Sequence, residues 1–325
     1  MKNIAILTSG GDAPGMNAGL RAVVLSAAKH NITVYGIKQG YQGLIEGKLE
    51  ILSPESCRNL IAKGGTVLGS ARSQAFMSPD GRKKAYENLK NYQIQDLVVI
   101  GGDGTFTGAQ VFMNEYPDIS IVGMPGTIDN DLYGTDYTIG YDTALNTAMQ
   151  AIDKIRDTAE AHQRLFFVEV MGRDAGFVAL RSGIATAAEA ILIPEQETNL
   201  NELIEIINRR HLQPGASCIV VVAEGDDAGN AFELAKKVEG RVAYPEIKVV
   251  VLGHIQRGGS PSCFDRVLAS RLGMEAVEAL LSGKKGVMLG QQGLKVVSIP
   301  FDKAIKHHQK ISPYLCQLME YLSFS

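Results

Sequence analysis

The feature that most constrains this chain is a series of short apolar runs, each followed by a polar or glycine-bearing loop. They are IAIL (4–7), LVVI (97–100), ISIVGM (119–124), LFFVEVM (165–171), AILI (190–193), CIVVVAE (218–224) and IKVVVLG (247–253). None alternates polar with apolar, so each suits a strand covered on both faces, as in parallel sheets. Helical patterns lie between them, at 16–30, 142–162, 199–211 and 261–283. Asp142 stands where the second would take its N-cap, and Gly283 where the fourth would end. The βαβα alternation predicts an α/β protein with mainly parallel sheets. No low-complexity linker divides it, and glycine-rich loops occur both before and after residue 140. The expectation is two similar three-layer α/β domains, with the chain crossing between them more than once.

Composition narrows the function classes. The chain has 325 residues, 45% of them hydrophobic and 21% charged, which fits a globular protein with room for two cores. A net charge of −3, with no basic tract, points away from nucleic acid. Cys57, Cys218, Cys263 and Cys316 are far apart and form no CxxC pattern, against a zinc site or disulfide framework. The N-terminal KNIAILTSGGD is too short in apolar residues for a signal peptide, and no run approaches bilayer-spanning length. A cytoplasmic protein without membrane contact is expected.

Two strand-to-loop junctions in succession, LVVIGGDGT and IVGMPGTIDND, carry the chemistry. In open α/β sheets ligands bind beyond the carboxyl ends of such strands. Gly101, Gly102 and Gly104 allow backbone to approach a phosphate, and Asp103 among them suits a Mg2+ ligand. Asp129 suits a general base for a hydroxyl proton, with Thr127 orienting it. A helix-capping Asp103 and an Asx-turn Asp129 are the plain alternatives. TSGGDAPGMN (8–17) opens a helix, where phosphate is favoured. KGGTVLGSARS (63–73) ends in Ser70 and Arg72, an arginine able to bridge phosphate oxygens. Arg164, Arg173 and the His254–Arg257 pair add cations on later loops. Together these are the parts of a phosphoryl-transfer site.

Taken together, PGTIDND, GTDYTIG (134–140), HQR (162–164), MGR (171–173) and GHIQRGGSP (253–261) resemble the bacterial type of ATP-dependent 6-phosphofructokinase, over nearly the whole chain except about 290–325. The resemblance implies transfer of the ATP γ-phosphoryl group to the 1-hydroxyl of fructose 6-phosphate, in a cleft between the two domains. The expected division is 1–140 plus about 255–304 for ATP, and 141–254 plus about 305–325 for the sugar phosphate. Gly11, Arg72, Ser73, Gly102, Asp103, Gly104 and Thr105 match the ATP site, with Asp103 the Mg2+ ligand. Asp129 matches the general base, Thr127 and Ile128 its neighbours, and Arg173 the arginine that steadies the transferring group. Met171, Gly172 and Glu224 match sugar contacts. Arg164, Lys248, His254, Ile255, Gln256 and Arg257 match the surroundings of the 6-phosphate. A homotetramer is implied, with the sugar-phosphate site shared between subunits.

The departures are specific. Pyrophosphate-using relatives carry Asp in place of Gly104 and Lys in place of Gly126, so glycine at both positions favours ATP. Lys248 stands where the family has an arginine, keeping the charge but losing the bidentate fork. Weaker sugar-phosphate binding is expected, with Arg241 a nearby compensating charge. Arg21, Arg156 and Glu189 match the family's effector site for ADP or phosphoenolpyruvate. Leu25, Pro54, Gln213 and Gly215 replace its usual basic residues, and Asn59 an aspartate. Each lost charged hydrogen bond removes about 1.5–3 kcal/mol, so weak or absent effector control is expected. The alternatives are a pyrophosphate-dependent phosphofructokinase, an NAD kinase sharing only GGDGT, and a non-catalytic metabolite-binding regulator. The His307–His308 pair reads as a solvated helix without function.

Overall fold

A computed structural model describes residues 3–213, 215–306 and 309–322. The His307–His308 pair lies outside them. The chain divides into two compact units, 1–128, 132–143 and 257–309 in the first, and 129–131, 144–256 and 310–325 in the second. The elements run β1 (Asn3–Thr8), α1 (Met16–Lys29), β2 (Thr33–Ile37), α2 (Gly40–Ile45), β3 (Leu49–Leu52), α3 (Pro79–Asn91), β4 (Ile94–Gly101), α4 (Asp103–Glu115) and β5 (Ser120–Pro125). Then follow α5 (Tyr141–His162), β6 (Leu165–Val170), α6 (Phe177–Ala185), β7 (Ala190–Leu192), α7 (Leu200–His211), β8 (Cys218–Ala223), α8 (Ala231–Val238) and β9 (Ile247–Val251). The chain closes with α9 (Cys263–Leu281), β10 (Val287–Gln292), β11 (Lys295–Pro300), α10 (Phe301–Lys306) and α11 (Pro313–Leu322).

In the first unit the strands form a seven-stranded sheet in the order β11-β10-β5-β4-β1-β2-β3. The central pairings are parallel, and only the outermost strands, β3 and β11, run antiparallel to their neighbours. The unbroken apolar runs are explained by the pleat. Ala5, Leu7, Leu97, Val99 and Ile121 join a core cluster with Tyr41 and Leu44 of α2, Leu89 of α3, Phe106 and Phe112 of α4 and Phe301 of α10. Alternate residues, Ile100 and Met124 among them, face α1 instead, at Gly19. Helices α1 and α9 pack closely there: a Cβ on Gly273 would lie 2.7 Å from the Gly19 carbonyl oxygen.

The second unit carries a smaller, parallel four-stranded sheet, ordered β7-β8-β6-β9. Leu165, Phe167, Val220 and Val222 pack with Leu203 and Ile207 of α7 and Leu234 of α8. α6 lies against β7, and Ile191 leaves no room for a side chain on Gly183. The mixed α/β class with mostly parallel sheets is thus as expected, though the two sheets differ in size.

Of the two helix ends marked in the sequence, one is as expected and one is not. Gly283 is the left-handed residue (φ 79°) just past α9, and its N–H and that of Lys284 close the last turn on Leu280 and Ala279. Asp142, however, lies inside the first turn of α5 and accepts from Ser262 Oγ at 2.6 Å. The carboxylate serving the start of α5 belongs to Asp265 on α9, which accepts from the backbone N–H groups of Gly140 (2.9 Å) and Thr143 (2.8 Å). A side chain from over a hundred residues away serves these N–H groups, because Asp142 is already inside the helix, past the position from which a capping side chain reaches them.

Candidate active site

The reversal of strand order between β4-β1 and β1-β2 brings the carboxyl ends of β1, β4 and β5 together at one edge of the first unit's sheet. Parallel register pairs Ile100 with Met124 and Gly101 with Pro125, so GGDGT and PGTIDND leave the sheet side by side. Gly126 N–H donates to the Gly101 carbonyl at 2.9 Å, and Ser9 N–H to that of Ile100 at 3.0 Å. Three of the four loops singled out by sequence therefore start from adjacent strands.

Each loop is held by its own residues. Gly10 (φ 84°) and Gly15 (φ 106°) occupy left-handed backbone that a side chain would strain. Gly101 is obligatory for another reason: a Cβ there would meet Thr105 Oγ1 at 2.3 Å and the Ser9 carbonyl at 2.5 Å. Thr105 Oγ1 donates to that carbonyl at 3.2 Å, joining the first loop to the third. Gly104 faces open space, with nothing within 4 Å of a built Cβ. Gly126 is tightly packed, a Cβ lying 2.9 Å from Ile100 and Met16. Asp103 is the first residue of α4, at the positive end of that helix, with Gly102 as N-cap.

The 63–73 loop is tied to the same edge. Asn17 on α1 donates to the carbonyls of Lys63 and Gly64 and accepts from Val67 N–H at 2.9 Å. Thr8 Oγ1 donates to the Gly69 carbonyl at 2.9 Å, and Ser70 Oγ to that of Gly10. Ser73 Oγ donates to Gln42 of α2 and accepts from Phe76 N–H, so it ties the end of the loop to α2, whereas Arg72 beside it is exposed. Thr127 and Asp129 are both buried, and Thr138 Oγ1 donates to the Thr127 carbonyl at 2.6 Å. The PGTIDND loop passes from the first unit to the second between Ile128 and Asp129. Arg257 belongs to the first unit and donates to the Asp12 carbonyl at 3.3 Å, against the TSGGD loop.

The second unit holds the other cations. Glu224, following β8, accepts from the N–H of Arg173 at 2.7 Å and of Gly172 at 3.3 Å. Arg173 is held there in left-handed backbone (φ 54°), a conformation unusual for a non-glycine residue. Arg164 precedes β6 and pairs with Glu246, and Lys248 lies 3.5 Å from the same carboxylate. His254 and Ile255 are exposed, Met171 and Ile128 are buried, and Gln256 is fully buried, its amide donating to the Gly253 carbonyl at 3.1 Å. Glu189 is buried and receives Arg156 and Arg210, each at 3.3 Å, and the Ile219 N–H at 2.7 Å. Arg21 lies on α1 of the first unit. Sequence reasoning missed Glu246, Asp265 and the Tyr41 hydroxyl, which donates to the Thr105 carbonyl at 2.8 Å. Their partners Arg164, Gly140, Thr143 and Thr105 are distant in the chain, and only the Glu246–Lys248 pair is local.

Residues 3–280 match the family model for phosphofructokinase. The chain belongs to the phosphofructokinase family. It is 50% identical over 323 residues to ATP-dependent 6-phosphofructokinase 2 of Bacteroides thetaiotaomicron, covering 99% of each chain. It is 52% identical over 323 residues to the ATP-dependent 6-phosphofructokinase of Cytophaga hutchinsonii, covering 99% of this chain and 98% of the other. Among solved structures, a phosphofructokinase from Saccharomyces cerevisiae superposes with a TM-score of 0.90 at 35% identity. That match takes in 99% of this chain and 47% of the yeast chain, so this phosphofructokinase spans about half the yeast chain's length. A pyrophosphate-dependent phosphofructokinase from Marinobacter aquaeolei superposes with a TM-score of 0.84 at 24% identity, covering 100% and 92% of the two chains, a likeness of fold alone. All four cysteines are free thiols, and among the described residues no helix is long and apolar enough to cross a membrane.

Proposed function

We propose that this chain is an ATP-dependent 6-phosphofructokinase, transferring the γ-phosphoryl group of ATP to the 1-hydroxyl of fructose 6-phosphate. The observation that carries the reading is about half identity, over essentially full length, to relatives named for that activity. Glycine at 104, facing open space, supports ATP over pyrophosphate, because the position where pyrophosphate users carry a carboxylate is empty of side chain.

In this reading Asp129 takes the proton of the 1-hydroxyl as its oxygen bonds to the γ-phosphorus, while the bond from phosphorus to the bridging oxygen breaks and ADP leaves. Thr127 orients Asp129. Arg72 and Arg173 neutralise the charge spread over the transferring oxygens, which is the main protein contribution to such reactions. The backbone of Gly11, Gly102 and Gly104, with Ser73 and Thr105, holds the nucleotide. Among the described residues no three carboxylate, histidine or cysteine side chains cluster as a metal cage. A single carboxylate, Asp103, fits Mg2+, which usually takes one or two protein carboxylates plus waters and phosphates. When bound, Mg2+ supplies charge neutralisation on the nucleotide phosphates. Met171, Gly172 and Glu224 contact the sugar, and Arg164, Lys248, His254, Ile255, Gln256 and Arg257 surround its 6-phosphate. The active protein is a cytoplasmic homotetramer.

The test is formation of fructose 1,6-bisphosphate with ATP and pyrophosphate as rival donors. Turnover with ATP alone is expected, and Asp129→Ala should lower kcat by about 10²–10⁴-fold. Turnover with pyrophosphate would overturn the role given to Gly104.

A further inference from the structure

We propose that Glu246 is a built-in competitor of the substrate's phosphate, holding the cations of the sugar-phosphate site until a phosphate displaces it. The inference rests on the functional reading above for the roles of Arg164 and Lys248, and goes beyond it in giving Glu246 control of affinity.

The sheet of the second unit places these groups. β6 and β9 are parallel neighbours, with Leu165 opposite Ile247 and Phe166 opposite Lys248. Arg164 and Glu246 each stand one residue before that pairing, so they emerge at the same level. Side chains two apart on a strand share a face, which puts Lys248 on the side of Glu246. β9 is the edge strand of the sheet. The side chains are 28%, 46% and 44% exposed for Arg164, Glu246 and Lys248. Glu246 reaches both cations. Partial burial pushes its carboxyl up, but the charges of Arg164 and Lys248 outweigh that and hold it below its ordinary value, so it is ionised at neutral pH.

The consequence is a substitution of anions. A phosphate monoester approaching Arg164 offers the guanidinium acceptor oxygens as Glu246 does, with more charge. It must break one ion pair to form another, and its net gain is reduced by what is lost. Glu246 does not touch the reacting atoms, so its removal changes ground-state and transition-state binding equally, and the effect falls on KM.

The experiment is Glu246→Gln, which keeps size and removes charge. The KM for fructose 6-phosphate is expected to fall by roughly two- to five-fold, the range for exposed ion pairs, with kcat and the KM for ATP unchanged. The gain should shrink at high salt. It should shrink, to what the Lys248 pair alone contributes, in Arg164→Ala/Glu246→Gln compared with Arg164→Ala alone. An unchanged or higher sugar KM would overturn the proposal, the latter making Glu246 an aligner of Arg164. Titration with inorganic phosphate, followed by phosphorus NMR, reads the same competition without turnover. If the wild-type chain failed to phosphorylate fructose 6-phosphate, the functional reading would fall, while tighter phosphate binding by Glu246→Gln would still uphold the competition. Equal phosphate binding by the two proteins would reject it.

Discussion

The guanidinium of Arg257 occupies the place of a side chain on Gly11: a Cβ built there would lie 2.5 Å from Nη1 and 3.1 Å from Cζ. A residue assigned to the sugar phosphate thus packs on the loop assigned to ATP, and the absence of a side chain at position 11 makes that contact possible.

Gly11→Ala should therefore displace Arg257. The displaced atoms are the far end of a flexible side chain, so the fold should tolerate the change, with Tm within about 2 °C of wild type. The KM for fructose 6-phosphate should rise about tenfold, alongside that for ATP, the loss of one charged hydrogen bond. Steady-state kinetics with each substrate varied in turn checks this. A change in the ATP constant alone would show that Arg257 does not depend on the loop.

Arg82 bridges the turn after Arg72 to α4. Its Nε and Nη2 donate to the two Glu115 oxygens at 2.7 and 2.6 Å, and its Nη1 to the carbonyls of Phe76 and Met77 at 2.9 and 2.8 Å. Phe76 in turn stacks on Tyr41, centroids 4.0 Å apart. Arg82→Ala should destabilise the protein by about 2–4 kcal/mol, leaving two carbonyls and a carboxylate without a donor. Arg82→Lys should recover little, because one ammonium cannot serve four acceptors in a plane. Urea denaturation of both variants is the measurement.

Asp265 is fully buried, and burial pushes its carboxyl up to about 6 from the ordinary 3.8, despite hydrogen bonds from Thr143 and Gly140 that work the other way. The native state therefore holds this proton more tightly than the unfolded chain does. Its contribution to stability is fully present below pH 3.8 and is lost as pH rises through about 6. The change amounts to at most about 3 kcal/mol. Asp265→Asn should flatten this part of the stability curve. It should also cost about 1–3 kcal/mol at neutral pH, since an amide nitrogen replaces one accepting oxygen. Denaturant midpoints from pH 4 to 7 test both effects.

Glu189 already receives Arg156, Arg210 and the Ile219 N–H, and the family resemblance implies that Gln213 and Gly215 replace further cations of an effector site. Millimolar phosphoenolpyruvate should leave the saturation curve for fructose 6-phosphate unchanged. A clear rightward shift would mean that the remaining arginines suffice for an effector.

The mixed α/β class with mostly parallel sheets was legible along the chain, and so were the places where loops leave the strands. Unbroken runs such as LVVI and CIVVVAE have one economical solution, a strand covered on both faces, and the glycines and carboxylates ending them are read in place. Strands without that signature were not legible. β2 and β3, at one edge of the sheet, and β10 and β11, at the other, are short or partly exposed, and their patterns are diluted by polar residues. Three contacts needed the folded chain: Asp265 rather than Asp142 serves the start of α5, Arg257 rests on Gly11, and Glu246 reaches Arg164 as well as Lys248. Apart from the pairing of Glu246 with Lys248 two residues on, each is a contact between residues remote from one another in the chain. Charge and hydrogen bonding act through space, and local sequence carries no record of which distant side chain the fold will bring within 3 Å.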